Sequence, residues 1–388
     1  MLALRGARLF DGVRRLPVRD PVVVMADGLI AGVGSAADVP LGVGIVDLGD
    51  VTLLPGLVDA HVHLAFDASS DPVKALDGTD DEVLAAMRVA ASTNLAAGVT
   101  TVRDLGDRGY LALRLRDELA RDPAAGPRIL AAGPPITTAR GHCWYLGGEA
   151  DGAARIRDAV RERAERGADV IKVMASGGEL TPGTFSYRPQ YGVEELRAAV
   201  DEAHRCGLPI TAHAHAGDAI ANALAAGFDS IEHCSFLAET GIDERPDVIE
   251  ALGRARMVVS ATIAARPDVR LPPRMAAAIS DLVKNLDRLV QAGVTLVASS
   301  DAGIGPPKPH GVLPYAPGRL VDMIGWSTVD ALRAVTSVPA KVCGVDDRVG
   351  RLSPGLDADV IAVAGDPLAD PNALADVRFV FRQGRRAG

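Results

Sequence analysis

His61 and His63 close a short apolar run, Leu57-Val58-Asp59-Ala60-His61-Val62-His63. Side chains alternate across an extended strand, so the two imidazoles share one face and Val62 takes the other. Two imidazoles on one face make half of a metal site, although an isolated His-x-His also occurs as ordinary polar sequence. Further candidates follow similar runs downstream: His213 and His215 in Thr211-Ala212-His213-Ala214-His215, His233 in Ile231-Glu232-His233, and Asp301 after Ser299-Ser300. Lys172 is one amine in the apolar stretch Asp169-Val170-Ile171-Lys172-Val173-Met174. Alone, such a lysine snorkels to a rim. Held in a low-dielectric, cation-rich place its pKa falls, exposing a neutral nitrogen that can add carbon dioxide. The resulting carbamate is an anion able to bridge two metals.

These residues converge only if the elements carrying them lie side by side. From about Val58, β-branched runs alternate with Ala-, Leu- and Arg-rich helical patterns, as in βα units with a parallel sheet. The expected strands are Leu57–Val62, Val99–Arg103, Arg128–Ala132, Asp169–Val173, Pro209–Ala212, Ser230–His233, Met257–Ala261 and Val294–Ser299. Helices are expected over Asp81–Ala97, Ala154–Arg166, Val193–Cys206 and Ala276–Gln291, from apolar residues at three- and four-residue spacing. Gly98, Gly167, Gly207 and Gly293 stand where C-caps would end such helices. Eight repeats point to an α/β fold with a (β/α)8 TIM barrel, whose catalytic groups gather at the C-terminal ends of several strands. The two chain ends read differently, as short strands (Leu2–Leu9, Pro21–Met25, Leu29–Val33, Ile45–Leu48, then Asp359–Val363 and Val377–Arg382) between Gly and Asp turns. Strands too few to stand alone need partners. The expected division is therefore a composite β-sandwich domain from 1–55 plus 347–388, around a (β/α)8 barrel at 56–346 that carries the candidate metal ligands.

Composition narrows the partners. The 388 residues are 48% hydrophobic and 23% charged, enough to build a core, and there is no compositional sign of disorder. A formal charge of −9 leaves no broad positive field for phosphates, so nucleic acid and anionic membrane are not expected, and a small-molecule substrate is. Cys143, Cys206, Cys234 and Cys343 form no C-x-x-C pair, which fits a reducing compartment. With no apolar signal region behind Met1–Arg15 and no run of about 20 apolar residues, a soluble, cytoplasmic protein is expected.

The motifs also carry a family resemblance. Leu54-Pro55-Gly56-Leu57-Val58-Asp59 leading to His61-Val62-His63, Ile171-Lys172-Val173-Met174-Ala175-Ser176-Gly177-Gly178, Ala212-His213-Ala214-His215, Ile231-Glu232-His233-Cys234 and Ser300-Asp301-Ala302-Gly303 resemble the amidohydrolase superfamily. More narrowly, the chain is similar to its imidazolonepropionase-like and prolidase-like branch, over nearly its whole length. The resemblance implies two divalent metal ions, with zinc the first expectation and manganese, iron or cobalt open. His61 and His63 would hold the more buried ion and His213 and His233 the second, with N-carboxylated Lys172 as the bridge. Asp301 would bind the first ion and act as general base toward a metal-bridged hydroxide. His215 is assigned by elimination to contact with substrate or with the ligands. The Gly141-His142 step resembles a loop that approaches substrate, with Arg140 where a glycine is commoner. Tyr191 resembles a tyrosine that donates to a developing oxyanion. A homo-oligomer is implied as well.

The activity so implied is hydrolysis of an amide or peptide-like C–N bond, in a dipeptide or N-acyl amino acid. Cyclic amides, carbamates, ureas and lactones share the electrophilic carbonyl and stay open. A non-catalytic scaffold that keeps the fold is the rival, and it should have lost several of the ligands this chain retains. His204 reads as a surface residue, His310 as part of a lid or an exposed turn, and Cys143 as pocket lining. Arg161, Arg163 and Arg166 read as a solvated helix face.

Overall fold

The computed structural model describes residues 1–270 and 273–387. The chain opens with β1 (Leu2–Arg5), β2 (Arg8–Leu9), β3 (Pro21–Ala26), β4 (Leu29–Ser35), β5 (Gly44–Asp47) and β6 (Val51–Pro55). Strands and helices then alternate: β7 (Leu57–Val62), α1 (Asp80–Ala96), β8 (Val99–Asp104), α2 (Leu111–Leu119), β9 (Arg128–Ala131), α3 (Gly152–Glu165), β10 (Ile171–Met174) and α4 (Val193–Arg205). The alternation continues through β11 (Ile210–Ala214), α5 (Gly217–Ala226), β12 (Ser230–His233), α6 (Pro246–Arg254), β13 (Val258–Ala261), α7 (Pro273–Ala292) and β14 (Thr295–Ala298). Three helices, α8 (Ala316–Ile324), α9 (Thr328–Arg333) and α10 (Ser337–Val342), precede β15 (Val360–Ala364), β16 (Val377–Arg382) and β17 (Arg385–Arg386).

The helices form where their local signals agree. On α1, Thr79 accepts a hydrogen bond from the Glu82 N–H while the Glu82 carboxylate takes the Thr79 N–H at 2.8 Å, a reciprocal cap with three acids in the first turn. Val83, Leu84, Met87, Ala90, Ala91 and Leu95 then line one buried face. Gly98, in the left-handed region at φ +84°, ends the helix and turns the chain into β8.

The eight strands of the middle run parallel, in ladders β7-β8-β9 and β10-β11-β12-β13-β14. The single closed ladder of a barrel is not what the pairing shows. At one seam Ile136 bridges Val173, and at the other Val62 bridges Ala302. Backbone bonds cross both: Ile136 N–H to Lys172 O at 2.8 Å and Asp301 N–H to His61 O at 2.8 Å.

Strands from the chain ends form a mostly antiparallel sheet, β17-β16-β15-β6-β2, and a second sheet, β4-β3-β1-β5. The one strand expected over Leu2–Leu9 is broken. Gly6 N–H donates to Pro21 O and Ala7 N–H to Val51 O, so the chain changes partner within two residues and β2 leaves β1's sheet. β6, which no expectation included, is buried throughout and pairs with β15 over five residues. Leu4, Val23, Leu53, Val360 and Phe381 share one apolar cluster drawn from both sheets. Arg163 corrects the solvated reading of α3. It is 2% exposed, because its guanidinium reaches the Pro134 carbonyl at 2.7 Å and the Ala159 carbonyl at 2.7 Å, while Arg161 and Arg166 stay at the surface.

Candidate metal centre

The sequence candidates meet at the C-terminal ends of the parallel strands. His61 lies one residue before the end of β7 with His63 just beyond it, Lys172 lies in β10, His213 in β11, His233 ends β12, and Asp301 follows β14. His61 Nδ1 lies 2.8 Å from Glu232 Oε2 and donates to it, so the Nε2 lone pair faces the other way. His63 Nδ1 donates to Gly106 O at 3.2 Å, which likewise leaves Nε2 free. The two Nε2 atoms stand 3.3 Å apart, each 3.4 Å from Asp301 Oδ1. With both ring protons committed elsewhere, three lone-pair atoms face one another. That arrangement is repulsive by itself and becomes favourable around a cation.

A second group lies beside the first, with His61 and His233 ring centroids 5.1 Å apart. His213 Nε2 donates to Gly177 O at 3.1 Å, and its Nδ1 lies 2.9 Å from His233 Nε2. His233 Nδ1 is 2.9 Å from Thr262 Oγ1. His215 stacks on His233 at 4.3 Å and sets Nδ1 2.6 Å from Ser235 Oγ. The ligand atoms of His213, His215 and His233 lie within 4.8 Å of one another, as do those of His61, His63 and Asp301, so each group could hold an ion. His61, His63 and Asp301 are the residues expected, with the Lys172 bridge, around one ion, and the His213 and His233 expected around the other are joined by His215.

Lys172 is 1% exposed, and its Nζ has no hydrogen-bond partner among the described residues. Burial pushes the amine down to about 8, against Glu232 and Asp301, which favour its charged form. Burial and then the Lys172 charge push His61 down to about 4, so the ring is neutral, as a ligand must be. In Asp301 burial favours the neutral acid, but His61, His63 and Lys308 override it and hold the carboxyl below the usual range. Glu232 behaves similarly: burial raises it, and Arg103 with His61 brings it down.

Glu232 was missed in the sequence reading, although an acid inside an apolar strand is the signal that singled out Lys172. Neighbouring residues of a regular strand point to opposite faces, so Glu232 and His233 should not serve one site. His233 escapes the rule by adopting φ +66°, a left-handed backbone uncommon outside glycine, and Asp301 at φ +57° does the same. Glu232 then gathers Arg103 Nη2 at 2.9 Å, Thr211 Oγ1 at 2.7 Å and His61 into a fully buried network.

The loop candidates divide. His142 is 4% exposed, its ring 4.8 Å from that of His213 and its Nδ1 without a partner among the described residues. Its N–H is fixed on Gln190 Oε1 at 2.6 Å. Burial, then His215 and Lys172, push it down to about 3. Arg140 is exposed, and its backbone N–H donates to Glu149 Oε1 at 2.6 Å. Tyr191 is 3% exposed and its hydroxyl donates to Ala150 O at 2.8 Å, so in this structure its proton is held by the loop. His310 is half-buried between Phe66 O at 2.8 Å and Asn94 Nδ2 at 3.3 Å, pinning the loop after Asp301. His204 lies on the surface beside Asp229, as expected.

The model of the Amidohydrolase family matches residues 52–387. The chain belongs to the amidohydrolase family. It is thus a hydrolase acting on C–N bonds, and its His and Asp groups are the metal-binding candidates of this amidohydrolase. Ochratoxinase of Aspergillus niger is 28% identical over 94% of the chain and 81% of its own length. Imidazolonepropionase of Deinococcus deserti is 27% identical over 98% and 95%. A solved Xaa-Pro dipeptidase with methionine bound in its active site superposes with a TM-score of 0.88, 27% identity and 99% coverage of both chains. Among the described residues, no helix of the amidohydrolase is long and apolar enough to cross a membrane.

Proposed function

We propose that this amidohydrolase cleaves the C–N bond of a dipeptide or N-acyl amino acid at a two-metal centre. The centre is held by His61, His63, Lys172, His213, His233 and Asp301, inside a (β/α)8 barrel spanning 56–346. The carrying observation is the set of three converging lone pairs beside a buried, unpartnered amine. Two divalent ions bound there, zinc by the nitrogen and oxygen donor set, would polarise the scissile carbonyl and make a nucleophilic water available near neutral pH.

The remaining work falls to the chain's own side chains. Lys172 Nζ, neutral once deprotonated, forms an N–C bond to carbon dioxide and loses a proton, which turns an orphaned donor into a two-oxygen anion. Asp301, ionised and buried, takes the proton of the attacking water and passes it to the leaving nitrogen. Glu232 fixes the His61 ring so that Nε2 faces the centre. His142, neutral and with Nδ1 free, is placed to meet the substrate, and His215 either meets it too or completes the second ion's donor set. The terminal strands, 1–55 and 347–388, make up a β-sandwich domain, and the protein works as a cytoplasmic homo-oligomer. The dipeptide reading is supported by the Xaa-Pro dipeptidase likeness, and the imidazolonepropionase likeness makes cyclic amides the comparison series.

The test is metal content and turnover of the purified protein after reconstitution with zinc and bicarbonate, on dipeptides, N-acyl amino acids and cyclic amides. Two ions and a carboxylated Lys172 are expected. Asp301→Asn should lower kcat by about 10²–10⁴-fold, the range for a lost proton carrier, with the second ion retained. Full turnover in that variant would sink the mechanism. A protein that stays metal-free with a bare lysine is the scaffold instead.

A further inference from the structure

Beside the second histidine group lies a cavity of about 140 Å³, lined by His215 and His233 and walled by the loop after β13 and the inner faces of α7 and α8. Its walls are apolar, built from Ile263, Leu282, Leu286, Leu289 and Met323. The α7 residues that line it run from Ile279 to Leu289, about 15 Å of helix at 1.5 Å per residue. An extended apolar group therefore fits along it. Besides His215, His233, Ser235 and Thr262 on the side of the histidine group, Asn285, Lys308 and Arg319 interrupt the lining, and each brings N–H donors. Among the described residues, no Asp or Glu side chain lines the cavity.

The donors are underused. Asn285 is 2% exposed, and its Nδ2 has no hydrogen-bond partner among the described residues; neither does Arg319 Nε. Lys308 gives two of its three protons to Thr262 O at 2.6 Å and Ser300 O at 2.7 Å, which leaves the third. Burial holds the Lys308 amine below its usual range, against Asp301 and Asp59, and the Arg319 charge lowers it further. Buried donors without acceptors in an apolar slot are costly as they stand, and one anion placed between them would offset that cost.

We propose that this cavity is the substrate's acid subsite, taking an apolar chain that bears a carboxylate bound by Arg319, Lys308 and Asn285. The assignment rests on the amide-hydrolase reading above, since the same substrate must present its scissile carbonyl to the neighbouring histidines. It narrows that reading to substrates whose free carboxylate lies on an apolar portion, and it predicts poor turnover of the matching carboxamides.

The test uses binding, so that it does not depend on turnover. Hexanoate and hexanamide are titrated calorimetrically into the metal-loaded protein, its Arg319→Gln variant, and a Met323→Trp variant that fills the cavity. Hexanoate should bind the parent protein about tenfold or more tighter than hexanamide, and Arg319→Gln should remove that preference. Met323→Trp should weaken hexanoate by a similar factor, which covers the case in which Arg319→Gln fails to fold. Equal binding of the two probes overturns the subsite, as does hexanoate binding unmoved by both variants, the sign of a carboxylate on the metals alone. An Arg319-dependent hexanoate preference in a protein that hydrolyses no amide would keep the subsite and sink the hydrolase reading. Amide turnover without that preference does the reverse.

Discussion

Glu232 shows how much of a metal site lies outside its ligands. By accepting from His61 Nδ1 it decides which nitrogen faces the centre, and Arg103 and Thr211 hold its other oxygen. Glu232→Gln should weaken zinc binding about 10–100-fold, the usual cost of losing a carboxylate behind a ligating histidine, as read by competition with a chelator. Unchanged affinity would mean that His61 is oriented by packing alone. A second consequence concerns pH. His61 and His142 are pushed down to about 4 and about 3 in the folded protein, against 6.5 as their ordinary value. The unfolded chain therefore binds more protons than the folded one below pH 6.5, so stability is full above that value and falls as pH drops toward 4. Asp301 and Glu232, held below the usual carboxylate range, lose their contribution at still lower pH. Burial acts the other way on Asp59, pushed up to about 7, and on Asp107, also raised, so these carboxyls gain stability over the same window. The histidine share is read by difference: between pH 7 and pH 4.5 the urea midpoint of the metal-free parent should fall relative to that of a His61→Phe, His142→Phe variant, and parallel profiles would contradict the buried neutral histidines.

At the scale of elements, strand identity was legible and strand ends were not. Leu57–Val62, Ser230–His233 and Val377–Arg382 form as their patterns imply, whereas Asp169, Pro209 and Met257 lie outside the strands expected to begin with them. A ladder starts where a neighbour is present to pair, and pattern alone does not reveal the neighbour. Nor does it reveal His233's left-handed backbone, without which Glu232 and His233 would face opposite ways. The loop after β10 carries another such constraint. A Cβ on Gly178 would lie 2.3 Å from His142 Nε2, so the ring holds its place because that residue has no side chain. Gly178→Ala should displace His142 and lower kcat/KM by about 10²-fold, the effect of a misplacement near 1 Å, with little change in melting temperature. Kinetics equal to the parent's would remove His142 from substrate contact.

Across the whole molecule, the two chain ends complete one another. β15 supplies a five-residue antiparallel ladder to β6, and Leu352, Val360, Ala362 and Phe381 fill a cluster with Leu4 and Leu53. Arg128 pairs with Asp357 and Asp359, and Arg382 Nη1 donates to Gly126 O at 2.8 Å, which fastens the last strands to β9 and the turn before it. A chain ending at Gly350 should therefore lose its cooperative thermal transition as followed by circular dichroism, because β6 and that apolar cluster lose their cover. A melt like that of the full chain would show that the terminal sheet is dispensable. The sequence by itself determined the alternation of strand and helix, the parallel strands and the chemistry-bearing residues at their ends. These follow from periodicity and residue type, which are local. Only the tertiary structure decided that Glu232 orients His61, that Tyr191 spends its proton on Ala150, that β1 and β2 part at Gly6, and that Asn285 and Arg319 line one cavity. Each of those depends on which distant segments become neighbours, and a chain read one residue at a time carries no distance between them.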